Sequence, residues 1–155
     1  MKLKDFDFRI WDGKKYINNV KGGVYIHKIN DYIKCLKRNQ DCYDYEFELD
    51  DLDNSNLEIE LFTGLYDKNG NKIYEGDILS YKTSQGKTIF YFITTNKQIN
   101  TFQIFVISDL ENFKLCNEIE IDRFLYSDFS KIEDMKNIEV IGNIHENKEL
   151  LNVRL

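Results

Sequence analysis

Apolar and polar residues alternate along much of the chain, and a period of two is typical of half-buried β-strands. In residues 57–61, Leu and Ile alternate with Glu58 and Glu60, which predicts a strand. Residues 88–95 and 102–107 are apolar on both faces, which predicts the central strands of the sheet. The other predicted strands are residues 6–11, 14–20, 24–27, 42–49, 73–74, 78–81 and 138–144.

Glycine marks the predicted turns, because it takes the positive φ that tight hairpins need. Gly64 is also expected to end the strand that begins near Leu57. The chain has no Pro and no Ala, so Gly and Asn must form its corners, and the abundant Ile, Phe and Tyr favour strands. The four predicted turn dipeptides are Asp12-Gly13, Asn69-Gly70, Gly76-Asp77 and Gln85-Gly86.

One helix is predicted near residues 30–39. Ile29, Ile33 and Leu36 fall at i, i+4 and i+7, and Asn30 is a suitable N-cap. Residues 108–135 fit short helical and short extended pieces equally well, and residues 146–151 are expected to form a terminal helical turn.

The predicted fold class is therefore mainly β, with a partly closed, barrel-like antiparallel sheet and this one N-terminal helix. Linkers rich in Pro, Ser or Gly are absent from the sequence, so residues 1–155 are expected to form a single domain.

The net charge of −6 is unevenly distributed. Residues 1–40 carry ten Lys or Arg against four Asp or Glu, whereas residues 41–155 carry eleven against 23. Residues 41–60 alone hold nine acids and no basic residue, which suits either a basic partner or a solvated edge balanced by the basic first 40 residues. We expect the solvated edge, because the complementary charge is already present in the same chain.

Composition and motifs exclude several classes of protein. The sequence shows no secretory signal and no apolar run of the ~20 residues that a membrane span needs. Cys35, Cys42 and Cys116 suit reduced thiols in a cytoplasm, and their spacing does not indicate a zinc site. A calcium-like run at residues 51–55 lacks the Gly and Glu that complete such a loop. Phosphate loops and nucleophile motifs are also absent. The sequence thus predicts no catalytic residue, cofactor or metal.

Three segments together carry a family resemblance. Residues 8–11 read FRIW, residues 61–79 read LFTGLYDKNGNKIYEGDIL, and residues 138–151 read IEVIGNIHENKELL. In order and spacing they closely resemble the YopX family of phage and prophage proteins. One departure is Lys148, where many members have Pro. The resemblance implies a mainly β fold with a barrel-like core, and it brings no established activity or catalytic residue.

Polar residues within these segments have two interpretations. The first is that Arg9, Asp67, Glu75, Asp77 and Asn143 cap turns, because short polar side chains satisfy the amides of Gly-rich corners. The second is that some of them line a binding surface. The predicted binding residues are Arg9, Trp11, Tyr74, Glu75 and Asp77.

The sequence favours a cytoplasmic, phage- or prophage-encoded accessory protein that binds a host or phage macromolecule without catalysis, with a homo-oligomer as one arrangement. The alternative is a nucleic-acid-binding small β-barrel, since the first 40 residues are basic. A small hydrolase or nuclease is a weaker alternative that rests only on the abundance of acidic residues.

Overall fold

Every named element of the structure, a computed structural model, is a β-strand, so the prediction of a mainly β chain is confirmed. The structure describes residues 6–17, 24–38, 49–51, 56–96, 98, 101–112, 114–115, 123–124 and 135–147. None of these ranges contains a helix that is long and apolar enough to cross a membrane.

The strands follow one another in chain order as β1 (Phe8–Trp11), β2 (Val24–Ile29), β3 (Tyr32–Arg38), β4 (Leu49–Asp51), β5 (Glu58–Tyr66), β6 (Lys72–Tyr74), β7 (Asp77–Lys82), β8 (Thr88–Asn96), β9 (Thr101–Asp109), β10 (Lys114–Leu115), β11 (Arg123–Phe124) and β12 (Ile138–Asn143). They belong to two compact units, a small unit (Arg9–Ile59) and a large unit (Met1–Phe8 with Glu60–Leu155). The expectation that residues 1–155 form one domain stays a prediction.

The main sheet of the large unit has the order β10-β9-β8-β7-β12, with β11 also pairing with β9, and all its pairs are antiparallel. The two strands predicted to be central, β8 and β9, lie in its interior. The described strands do not form a closed barrel. Closure requires the two end strands to pair, but the described β12 pairs with β7 and β10 pairs with β9.

Apolar side chains cover both faces of this sheet. On one face Leu79 and Ile93 belong to a core cluster, and on the other Ile78 and Phe92 belong to a second cluster. Because successive side chains of a strand point to opposite faces, burial of both Ile78 and Leu79 means that β7 is covered on both sides. The double coverage predicted for β8 is confirmed by the same clusters.

β5 continues through Gly64, so the expected strand end there was wrong. Gly64 has a φ of +86°, and the pairing with β6 shifts register between Phe62 and Tyr66. The Thr63 hydroxyl donates to the Ile73 carbonyl at 2.8 Å and accepts a bond from the Leu65 amide at 3.2 Å. The glycine therefore accommodates a bulge that bends the strand without ending it.

Residues 24–38 form a hairpin in the small unit, so the helix predicted near residues 30–39 was wrong. Ile29 pairs with Tyr32 across a two-residue turn in which Asn30 has a φ of +51°. Alternation along β3 places Ile33 and Leu36 on opposite faces, although their spacing also fits one helical stripe. The backbone hydrogen bonds between β2 and β3 make this segment a strand instead of a helix.

The four predicted glycine turns are all confirmed. Each of their glycines has a positive φ, between +81° and +89°. In the first turn, the Asp12 carboxylate accepts 2.8 Å bonds from the amides of Lys14 and Lys15.

The described parts of two other predicted segments are extended or turned. Residues 114–115 and 123–124 are short strands on β9, so these pieces of residues 108–135 are extended. At the C-terminal end, the Asn147 amide donates to the Asn143 carbonyl at 3.2 Å, which closes one turn. Residues 148–151 of the expected helical turn, and residues 42–48 of the expected strand, lie outside the described residues.

Asp67 links the β5–β6 turn to β12 within the large unit. Its carboxylate accepts bonds from the amides of Asn69 and Asn71, both at 2.8 Å, and from the Val140 amide at 3.2 Å. Burial acts to raise the pKa of Asp67. The hydrogen bonds donated by Asn71, Val140 and Asn69 outweigh burial, so this pKa lies below its usual value of 3.8.

We expect Asp67→Asn to lower the free energy of unfolding by about 1–3 kcal/mol at pH 7, because one amide cannot satisfy all these donors. Since the native pKa is depressed, the contribution of Asp67 is complete above the usual carboxyl pKa and is lost as pH falls through the native pKa. Urea unfolding between pH 7 and pH 2 should therefore show a shallower acid-side loss of stability in the variant. Identical pH slopes in the two proteins would contradict this assignment.

Candidate functional site

Three of the five predicted binding residues, Tyr74, Glu75 and Asp77, lie at the β6–β7 turn of the large unit. Asp77 is fully buried, and its carboxylate accepts a 2.8 Å bond from the Tyr74 amide. The Glu75 carboxylate accepts a 2.7 Å bond from the Thr95 hydroxyl on β8. The polar groups of this turn thus hold neighbouring elements of the large unit together, and the binding role of the three residues stays a prediction.

The phenol of Tyr74 contacts Asp7, which lies just before β1 and belongs to the large unit. Its hydroxyl donates to the Asp7 carboxylate at 2.8 Å, and the Lys72 ammonium binds the same oxygen. Burial acts to raise the pKa of Asp7, but the bonds from Lys72 and Tyr74 outweigh it and hold this pKa below its usual value. Asp7 therefore stays ionised, and its carboxylate binds Lys72 and Tyr74 of β6.

The other two predicted binding residues, Arg9 and Trp11, lie on β1 in the small unit. Both pack on Tyr16: the indole ring meets it edge-on at 5.1 Å, and the guanidinium lies 4.6 Å from its ring centroid. Trp11 is only 5% exposed. It is therefore a core residue of the small unit, whereas Arg9 covers the tyrosine through a cation–π contact.

The turn-cap interpretation is confirmed for Asp67, Asp77 and Asn143. The Asn143 side-chain oxygen accepts bonds from the amides of His145 and Glu146, at 3.0 and 2.9 Å. Arg9 and Glu75 instead contact side chains. Much of the polar sequence in the three family-like segments therefore serves the backbone of turns.

An acid–imidazole pair in the large unit escaped sequence reasoning. Glu60 Oε1 lies 3.0 Å from His145 Nε2, and the two side chains are 5% and 12% exposed. Residues 41–60 were expected to form a solvated edge, and Glu60 departs from this expectation: it is buried, whereas Ile59 is 40% exposed. Glu60 on β5 thus contacts a histidine near the other end of the chain.

Gly76 provides the space for that pair. A Cβ at this position would lie 2.6 Å from Glu60 Oε1, and the residue has a φ of +82°. Its amide donates to the Ile93 carbonyl and its carbonyl accepts from the Ile144 amide, both at 2.9 Å. A shielded carboxylate and imidazole could exchange a proton. Their low exposure, however, favours an internal tie between β5 and residues 143–147 over contact with a solute.

A shallow apolar groove of about 150 Å³ lies in the small unit. Its rim includes Ile26 and Ile33, which are 39% and 56% exposed, together with Ile59. Burial raises the pKa of the Cys35 thiol in its wall, which keeps that thiol protonated and weakly reactive. The groove therefore offers apolar contact, not nucleophilic chemistry. Its lining residues are Ile10, Ile26, Ile33, Lys34, Cys35, Leu57 and Ile59.

The described residues hold no group of three or more His, Cys, Asp or Glu side chains that could bind a metal ion. Among the described residues, the acid–imidazole pair and the groove are therefore the candidate sites that we consider. Neither could be found from a local motif, since the first joins β5 to the C-terminal segment and the second depends on a hairpin where a helix was predicted.

Comparison with known proteins agrees with the sequence resemblance. The model of the YopX protein family matches residues 7–152, nearly the whole chain. The crystal structure of protein EF1440 from Enterococcus faecalis has a similar fold, with a TM-score of 0.50 and 24% identity over 94% of this chain and 97% of that chain. A search of curated proteins finds no match. At this identity the structural likeness concerns the fold alone.

Gly76→Ala and Gly86→Ala separate the effect of the Glu60 contact from that of backbone conformation. Both glycines have nearly the same φ, +82° and +81°, but a Cβ on Gly86 meets nothing within 4 Å. We expect Gly86→Ala to lower the free energy of unfolding by ~1–2 kcal/mol. Gly76→Ala should lower it by ~1–3 kcal/mol more, because Glu60 must move. Chemical denaturation measures both changes, and equal losses would show that the contact with Glu60 contributes nothing.

Proposed function

The chain belongs to the YopX family, and from this premise we propose that it is a phage- or prophage-encoded accessory protein that acts by binding another protein. The proposal places the protein in the cytoplasm of the host cell. It assigns the binding to the small unit, and it assigns no catalytic step to the acid–imidazole pair.

The exposed apolar groove carries the proposal. Ile26 and Ile33 on the hairpin, with Ile59, leave a large part of their side chains in water. Each Å² of apolar surface removed from water stabilises a complex by roughly 25 cal/mol, before the costs of association. Contiguous exposed apolar side chains with polar neighbours are typical of interaction sites. Burial of these isoleucines by a partner would therefore contribute directly to affinity.

The environment of the most shielded ionisable groups supports binding over catalysis. Glu60 and His145 contact each other at 3.0 Å and are almost inaccessible. Asp77 is fully buried beneath the turn that it caps. A general acid or base must come within hydrogen-bond reach of its substrate, and these groups are placed to bond with the protein itself.

A nucleic-acid partner is the second candidate, favoured by the other face of the hairpin. Alternation places Tyr25, Tyr32 and Lys34 on that face, and the two tyrosines are 38% and 61% exposed. Aromatic and basic side chains together suit single-stranded nucleic acid. The register, however, sets Asp50 of β4 opposite Lys37, and the whole chain carries a net charge of −6. We therefore favour a protein partner.

The double variant Ile26→Ser/Ile33→Ser tests the groove. Tagged wild-type and variant chains are captured from host cells that carry the phage, and the co-purifying proteins and nucleic acids are quantified. We expect at least about a tenfold loss of the specific protein partner in the variant, as for interface hot spots. Tyr66→Ser is the matched control, since Tyr66 is a 49% exposed residue of the large unit.

Thermal unfolding of each variant establishes that it folds. A partner retained equally by all three chains would contradict the proposal. Nucleic acid that is recovered in the groove variant and released by salt would support the second candidate instead.

A further inference from the structure

Strand β2 has one edge that no described strand covers. In the sheet order β2-β3-β4, it pairs with β3 alone. Ile29 and Tyr32 flank the two-residue turn, so they form the first hydrogen-bonded pair of the hairpin, and such pairs recur at every second residue. The backbone N–H and C=O groups of Val24, Ile26 and Lys28 therefore point away from β3, toward the outer edge.

The outer edge and the apolar groove share a residue. Ile26 faces the edge with its backbone, and its side chain lines the groove. Cross-strand partners point to the same face of a sheet, so the pairs Ile26–Cys35 and Lys28–Ile33 place the lysine beside the apolar lining. An extended chain laid along this edge would have apolar contacts on the same face as a positive charge.

The charge of the hairpin indicates the chemistry of such a chain. Lys28 is the basic residue that β2 places on the groove face, whereas Lys34 lies on the other face and Lys37 is set opposite Asp50 of β4. Opposite charges on neighbouring strands stabilise pairing, and like charges oppose it. A second copy of this chain would bring an identical basic hairpin against β2. An acidic strand is therefore the better complement.

We propose that β2 accepts an added strand from a partner protein, in a segment that carries an acidic residue two positions from an apolar one; this rests on the proposed binding function. The partner's backbone would bond to Val24, Ile26 and Lys28. Its apolar side chain would enter the groove beside Ile26 and Ile33, and the acidic side chain two residues away, on the same face, would lie near Lys28. This is the β-augmentation mode, in which the backbone supplies affinity and alternate side chains supply specificity.

Selection from a random library of 12-residue peptides tests the partner chemistry on the full chain. We expect the enriched peptides to carry Asp or Glu two positions from Ile, Val or an aromatic residue, and to lack Pro at their centres. On binding, hydrogen exchange should slow at the amides of Val24, Ile26 and Lys28. Enrichment of basic peptides, or of peptides without this spacing, would overturn the proposal.

Two substitutions on the edge test the geometry with the best enriched peptide. Val24→Pro removes an outward N–H without touching a bond to β3 or a side chain that lines the groove, and we expect an affinity loss of at least about tenfold. Its control is Ser84→Pro, at the position of the Thr83–Gly86 turn where Pro is favoured. Lys28→Glu should weaken binding of the acidic peptide by at least about threefold at low salt. Lys87→Glu makes the same charge change in the large unit.

The outcomes separate this inference from the proposed function. Peptides that bind in the groove but show no loss with Val24→Pro and no slowed exchange on β2 would overturn strand addition and leave the binding function standing. Failure to select any peptide, together with an unchanged capture profile for Ile26→Ser/Ile33→Ser, would overturn both. Circular dichroism and thermal unfolding of Val24→Pro must match the wild type; otherwise slowed exchange and Lys28→Glu decide the question.

Discussion

The large unit depends on the close approach that Gly76 permits. Its backbone bonds to Ile93 on one side and to Ile144 on the other, while Glu60 occupies the volume where a side chain would stand. A residue with a Cβ would have to adopt an unfavourable positive φ and also displace that carboxylate. Glycine here thus satisfies three demands at once: the turn into β7, the contact with β8, and the docking of the C-terminal segment.

This constraint gives the family-like segments a common physical purpose. Asp67 ties its turn to β12, Asp77 caps the turn next to Gly76, and Asn143 caps the turn that carries His145 onto Glu60. Each is a short polar side chain that satisfies backbone amides at a place where regular pairing stops. These residues are strongly constrained by the fold, and such a constraint by itself says nothing about ligand or substrate.

Sequence reasoning succeeded where neighbouring residues determine structure. The glycine turns and the two doubly apolar strands, β8 and β9, follow from local pattern. It failed where a partner outside the segment decides: the spacing of Ile33 and Leu36 fits a helix until β2 supplies a paired strand. Glu60 is buried against His145, near the other end of the chain, where a solvated acidic edge was expected. Alternation fixes which residues share a face, but not which face is buried.

The small unit differs in that its apolar residues are not all needed inside. Trp11 and Leu36 are buried, yet Ile26 and Ile33 remain in contact with water beside a strand edge that no described strand covers. An edge of this kind is a hazard, because any extended chain can pair with it. Natural proteins protect such edges with charge, and Lys28 on the edge together with the basic hairpin opposes pairing between identical copies. The same charges that guard against self-association leave the edge open to an acidic strand, so protection and selectivity have one physical origin.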